Sequence, residues 1–345
     1  MLIPYLAWHP AIPADARFGA QALITGRATA GPGLVLGDYA TVRADGESVT
    51  IGADVFLGER ATVHIAHDVY STHIGDGVSV GRYGLVHACT LGDGVVVGNA
   101  ATVMDGAVVG ARALIMPGAM VPPRKTLAGD LVYAGSPAQP VRALEPGEIE
   151  RWHTALRARR SPVADPATEL PADAPHLPAA PARLAASAAA YVATTARCGG
   201  AIELADEASI YFACVIDASD ARVVLGRRSN VQDGSLLTAS RAAGDLVIGD
   251  DVTVGHNVRI GAGRIGDRSL IGMASIVADG VIVDDDACIG AGAYVEPGTH
   301  VPSGWIYAGR PARPFRELRV AEREGFADIV TVYAQYSAAY RTGGA

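Results

Sequence analysis

A mainly β fold, made of two tandem parallel β-helix domains each followed by a helix, is predicted by three observations. The first is a six-residue period. From Ile265 to Val301 every sixth residue is aliphatic: Ile265, Ile271, Val277, Val283, Ile289, Val295 and Val301. A period of six matches neither an α-helix nor a simple amphipathic strand. It matches hexapeptide coils, three short strands to a turn, in which each aliphatic residue points inward and stacks on its counterpart about 4.8 Å along the axis. The second observation is a copy of the pattern in the first half of the chain, at Leu91, Val97, Val103, Val109, Ile115 and Val121. Each of these precedes its partner by the same interval, the one from Leu91 to Ile265. The third is that the irregularities are copied too. The five-residue step from Val86 to Leu91 recurs from Ile260 to Ile265, and Ala134-Gly135-Ser136-Pro137-Ala138 recurs as Ala308-Gly309-Arg310-Pro311-Ala312. Shared irregularity is the stronger mark of duplication.

Along the chain, the first domain is expected over residues 1–160. Ile24 to Thr62 supply the early coils, with corners at Gly37-Asp38 and Gly52-Ala53. After Gly135-Ser136-Pro137 comes Glu145-Pro146-Gly147-Glu148, and then a stretch through Trp152 and Leu156 to Arg160 reads as a helix. Its acidic start and basic end suit the helix dipole. Residues 161–181, rich in Pro and Ala without periodicity, read as a linker. The second domain follows over 182–345 and ends in a longer helix, expected from Glu317 to Tyr340. Its tyrosines lie at helical spacing, and Tyr333 is the one marked as a site candidate.

Composition narrows the function. The 345 residues carry a formal net charge of −8, which opposes a nucleic-acid or anionic-membrane surface. No apolar run is long enough to cross a membrane as a helix, and the N-terminus lacks a signal-peptide pattern, so a cytoplasmic protein is expected. Cys89, Cys198, Cys214 and Cys288 show no CxxC spacing and read as reduced thiols. No Walker loop, dinucleotide fingerprint or Ser-His-Asp order is present.

Several stretches resemble the γ-class carbonic anhydrases and their relatives. They are Arg43-Ala44-Asp45, His64 and Val86-His87-Ala88-Cys89 in the first half, then Asn230-Val231-Gln232-Asp233-Gly234-Ser235 and Val254-Gly255-His256 in the second. Both halves end in Gly-x-Pro-Ala. The resemblance covers nearly the whole chain apart from the linker. It implies a left-handed triangular β-helix and a trimer. It also implies a three-histidine metal, usually zinc, shared between neighbouring protomers. On zinc the open fourth position activates a water, which attacks carbon dioxide.

Carried over residue by residue, the histidine set is split. The first domain keeps the first and third ligands as His64 and His87, with Arg82 in the middle position. The second keeps the middle one, His256, with Thr238 and Gly261 at the other two. The family's ion pair between protomers appears as Arg43 and Asp45, against Asp217 and Ser219 in the second domain. Its Gln-Asp pair appears as Gln232 and Asp233, against Gly58 and Glu59 in the first. The loop after His64 is short. It carries His67, more simply read as solvated than as a proton shuttle.

Three functions follow. One is a zinc (or other divalent metal) lyase or hydrolase with a composite site from His64, His87 and His256. Another is a metal-free enzyme in which Arg82 and Arg43 hold a carboxylate or phosphate and a histidine does acid/base work. The third is a non-catalytic trimeric scaffold. The expected partners are a small-molecule substrate and other copies of the chain, as a trimer or a mixed ring with a related protomer. A hexapeptide acyltransferase fits the motifs less well.

Overall fold

The computed structural model describes residues 1–159, 178 and 180–343. Contacts divide the chain into two units, Met1–Ala172 and Asp173–Ala345. The expected linker lies almost wholly outside the described residues.

Each unit is a parallel β-solenoid. In the first, two-residue strands recur on three faces, and each pairs in parallel with the strand one coil away: Val80 with Val97, Val97 with Ile115, and Val86 with Val103. Two faces form one 11-stranded sheet because two strands, Leu23–Ala30 and Thr41–Ile51, run on through a corner. The third face is an 8-stranded sheet. The second unit repeats this division of 11 and 8 strands, with Arg197–Leu204 and Val215–Leu225 as the long strands. The aliphatic residues of the six-residue period fill the interior. Ile115, Val121, Ile289 and Val295 are fully buried. Burial of that kind stabilises by about 25 cal/mol per Å² of apolar surface removed from water.

Corners are held by a side-chain ladder. An Asp or Asn Oδ1 accepts a hydrogen bond from a backbone amide one coil earlier. Asp76 takes Ala53 N at 2.7 Å, Asp93 takes Asp76 N at 2.9 Å, and Asn99 takes Arg82 N at 2.9 Å. In the second unit Asp250 takes Arg227 N at 2.7 Å and Asp267 takes Asp250 N at 2.8 Å. Both aspartate pairs of the first unit thus recur at matching positions in the second.

Helix α1 spans Glu148–Arg157 and α2 spans Val320–Gly343. Both start on the same ion pair. Arg142 grips Glu148 through two bonds of 2.7 Å, and Glu148 also accepts Glu145 N at 3.0 Å. Arg316, Glu322 and Arg319 N repeat the arrangement at 2.6–2.9 Å. The arginine holds each glutamate down at about 2, against an ordinary value of 4.5. The second helix starts later than its expected Glu317, because Ala312–Glu317 forms an antiparallel strand against Trp305–Gly309.

The helices differ in length and bed. Ile149, Trp152 and Leu156 of α1 pack on Phe56, Val96, Leu114 and Val132. His153 adds Nδ1 to Ser79 Oγ at 2.8 Å and Nε2 to the Gly94 carbonyl at 3.2 Å. Helix α2 is the longer, and it lays Tyr333, Tyr336 and Tyr340 on an aromatic bed. Tyr333 meets Tyr211 edge to face at 5.0 Å, and Tyr340 stacks on Tyr191 at 5.8 Å. Among the described residues no helix is long and apolar enough to cross a membrane.

Candidate metal centre

The parallel register places His87 directly opposite His64 on adjacent coils, at the ends of strands Leu85–His87 and Thr62–His64. Both side chains therefore leave the same face. His64 Nδ1 and His87 Nε2 stand 3.2 Å apart, and both residues are buried. Two nitrogens bound to one tetrahedral zinc at 2.0–2.1 Å are about 3.3 Å from each other. The pair thus has the spacing of two ligands to one ion.

The remaining ring nitrogens each meet a carboxylate. His64 Nε2 lies 3.1 Å from Asp45 Oδ1, and His87 Nδ1 lies 2.6 Å from Asp105 Oδ1. Metal-binding imidazoles characteristically donate their far N–H in this way, which fixes the tautomer and raises ligand basicity. Asp45 also contacts Arg43, with Nη1 to Oδ2 at 3.1 Å, and both side chains are fully buried. Arg43 and Asp45 thus pair within the first domain, where the resemblance implies a pair between protomers, and Asp45 joins that pair to His64.

In the second domain His256 sits at the corner after strand Thr253–Val254, fully buried. Its Nδ1 is 3.2 Å from Asp233 Oδ2, an ion-pair contact rather than an aligned hydrogen bond. Asp233 Oδ1 belongs to the corner ladder and accepts Phe212 N at 3.0 Å. The Tyr333 hydroxyl lies 3.2 Å from His256 Nε2. Gln232 is buried beside Asp233 and donates from Nε2 to Asn230 Oδ1 at 3.2 Å. His256, Asp233 and Tyr333 are therefore brought together, with Gln232 next to Asp233 in the chain and turned to Asn230.

Arg82 occupies the first-domain corner that matches His256. Its guanidinium lies 5.7 Å from the Tyr83 ring centre, and its backbone amide joins the ladder. The matching second-domain positions have changed use. Asp279, the counterpart of Asp105, places Oδ1 on Ala262 N at 2.9 Å. Gly261 stands where His87 would be, and a Cβ there would collide with that Asp279 oxygen. Asp217 accepts the Ser219 hydroxyl at 2.5 Å, in place of the Arg43–Asp45 pair.

His67 lies 3.5 Å from Asp68 on the short loop and is partly exposed. The cysteines are free thiols. Burial pushes Cys198 up to about 11 and Cys288 to about 12, far from a thiolate at neutral pH. Asp105 is a member of the site that no sequence motif marks. The signal for it is positional: it follows His87 by one coil.

A solenoid of hexapeptide coils with paired, buried histidines defines a class of protein, and the comparisons agree with it. A family model described as "Hexapeptide repeat of succinyl-transferase" matches residues 48–81 and 264–297, one stretch in each domain. Protein YrdA of Escherichia coli is 38% identical over 154 residues, spanning 43% of this chain and 84% of that protein. Gamma carbonic anhydrase 2, mitochondrial, of Arabidopsis thaliana is 32% identical over 145 residues, spanning 41% of this chain and 52% of that protein. A putative acetyltransferase from Desulfovibrio desulfuricans G20 shares the fold, with a TM-score of 0.55 at 14% identity, over 95% of this chain and 84% of that one. The chain belongs to the γ-carbonic-anhydrase-like family of hexapeptide-repeat, left-handed β-helix proteins, and it carries that domain twice.

Proposed function

We propose that the protein is a γ-carbonic-anhydrase-like metalloenzyme. Its ion is held by His64 and His87 of a first domain and His256 of a second, within one chain or between chains of a ring. The observation that carries this is the apposition of His64 Nδ1 and His87 Nε2 at 3.2 Å, with the outer nitrogens turned to Asp45 and Asp105. The complementary loss of histidines from the two domains supports it. Zinc, when bound, would supply Lewis-acid activation of water toward carbon dioxide or another small carbonyl. The chain's own residues do the rest. Asp45 and Asp105 orient the imidazoles. The Tyr333 hydroxyl, beside His256, donates to or accepts from the reacting oxygens. Asp233 holds the corner that carries His256, with Gln232 next to it in the chain.

The test is metal content. Each chain supplies one His64–His87 pair and one His256, so zinc-replete protein is expected to hold about one ion per chain at most. His64→Ala should empty it. Less than about 0.2 ion per chain in the parent, unchanged by that variant, would overturn the metal reading.

A second reading is favoured by Arg82 at the middle position of the first domain. There Arg82 and Arg43 would hold a carboxylate or phosphate, with the histidine pair as acid and base. Turnover by metal-free protein that falls with Arg82→Ala would select it.

A further inference from the structure

We propose that Asp105 is the positioning residue of His87. Its carboxylate holds His87 as the Nδ1–H tautomer, so that Nε2 keeps its lone pair toward His64. The proposal rests on the metal reading above and extends it to a residue outside the histidine set.

Asp105 departs from a rule. Corner carboxylates in this solenoid serve the backbone: Asp76, Asp93, Asp250, Asp267 and Asp279 each cap an amide one coil earlier. The amide that Asp105 would cap is Ala88 N, the counterpart of Ala262 N. That amide is already taken, because Ala88 adopts a left-handed conformation with φ of 50° and donates to the His64 carbonyl at 2.9 Å. The carboxylate turns instead to His87 Nδ1 at 2.6 Å. In the second domain no imidazole stands at 261, and Asp279 keeps the ordinary corner role on Ala262 N. The same residue type at the same place in two copies thus follows the presence of the imidazole. A carboxylate acceptor at Nδ1 admits the N–H tautomer there. The lone pair then remains on Nε2, the atom 3.2 Å from His64 Nδ1.

The experiment uses the full chain. In metal-free protein with 15N-labelled histidine, long-range 15N–1H spectra report the tautomer of His87. The parent should show Nδ1–H, and Asp105→Ala should lose that preference. Zinc affinity, measured by competition with a chelator, should fall about 10–100-fold in Asp105→Ala, the usual effect of removing a residue that orients a ligand. Asp279→Ala should leave it unchanged. Asp105→Leu keeps the bulk of the side chain without an acceptor and replaces the alanine variant if that one does not fold. An Nε2–H tautomer in the parent would overturn the proposal. So would a tautomer that survives both Asp105 variants, or a zinc affinity that changes less than threefold. A parent that binds no zinc would sink the metal reading, while the tautomer spectra would still decide the role of Asp105.

Discussion

Asp105 and Asp279 are the same residue type at matching corners of two copies of one domain, yet one holds an imidazole and the other a backbone amide. The surrounding packing is otherwise repeated closely. The interior stacks, the Asp ladder and the Arg–Glu start of each helix all recur at one constant interval along the chain. At these corners the differences are local: a left-handed turn at Ala88, a missing Cβ at Gly261, and an arginine or a histidine at 82 and 256. The scaffold thus tolerates exchange of functional side chains at its corners because its stability lies in the coil interior.

The likeness of the two copies can be probed at four points. The largest effect concerns the shared interior. Ile115→Ala and Ile289→Ala remove matching, fully buried side chains, and each should cost about 2–5 kcal/mol. Urea unfolding of the two variants should give similar losses. Losses that differ by as much as the whole cost of one such truncation would mean that the two cores are not packed alike.

Next is the altered corner. Gly261→Ala pushes a Cβ onto Asp279 Oδ1 and should cost about 1–3 kcal/mol. Asp279→Ala made together with it should recover part of that loss, because the clash partner is gone. No recovery in the double variant would place the strain elsewhere.

The third point is the helix starts. Glu148→Gln and Glu322→Gln should each cost about 0.5–2 kcal/mol at neutral pH, as for loss of a cap. Both carboxyls sit at about 2 when folded, against 4.5. Their contribution is therefore fully present above pH 4.5 and is lost as pH falls from there toward 2. Acid titration followed by circular dichroism should show this window in the parent and a weaker one in each variant.

The smallest effect separates the helices. His153 of α1 has no counterpart in α2, where Ala327 stands at that position. Burial, the leading cause, holds the His153 imidazole below its usual 6.5. The unfolded chain then binds more protons, so this contribution is present above pH 6.5 and declines as pH falls through it. His153→Ala should flatten that decline in the unfolding of the first domain between about pH 7 and pH 5.

Much of the fold is legible in the sequence because a coil of stacked hexapeptides writes its interior at fixed spacing. Ile265 to Val301 reveals the architecture, and the copied five-residue step reveals the duplication. The histidines at 64, 87 and 256 stand out as candidates because the repeat aligns each with a different residue in the other copy. Asp105 is not, because in sequence it resembles Asp93 or Asp279, ordinary corner residues. Its role depends on which neighbouring amide is already bonded, and no residue pattern records that. The start of α2 falls later than the sequence suggests for a similar reason. Glu317 opens the expected helix, but the antiparallel strand against Trp305–Gly309 claims it first.

The corner at Gly261 also bears on descent. A single substitution there cannot bring the lost imidazole back, because any side chain meets Asp279 where it now rests on Ala262 N. Recovery would need that carboxylate to swing away in the same step, and then a second imidazole at Thr238. The second copy thus stands behind a ratchet that no one substitution reverses.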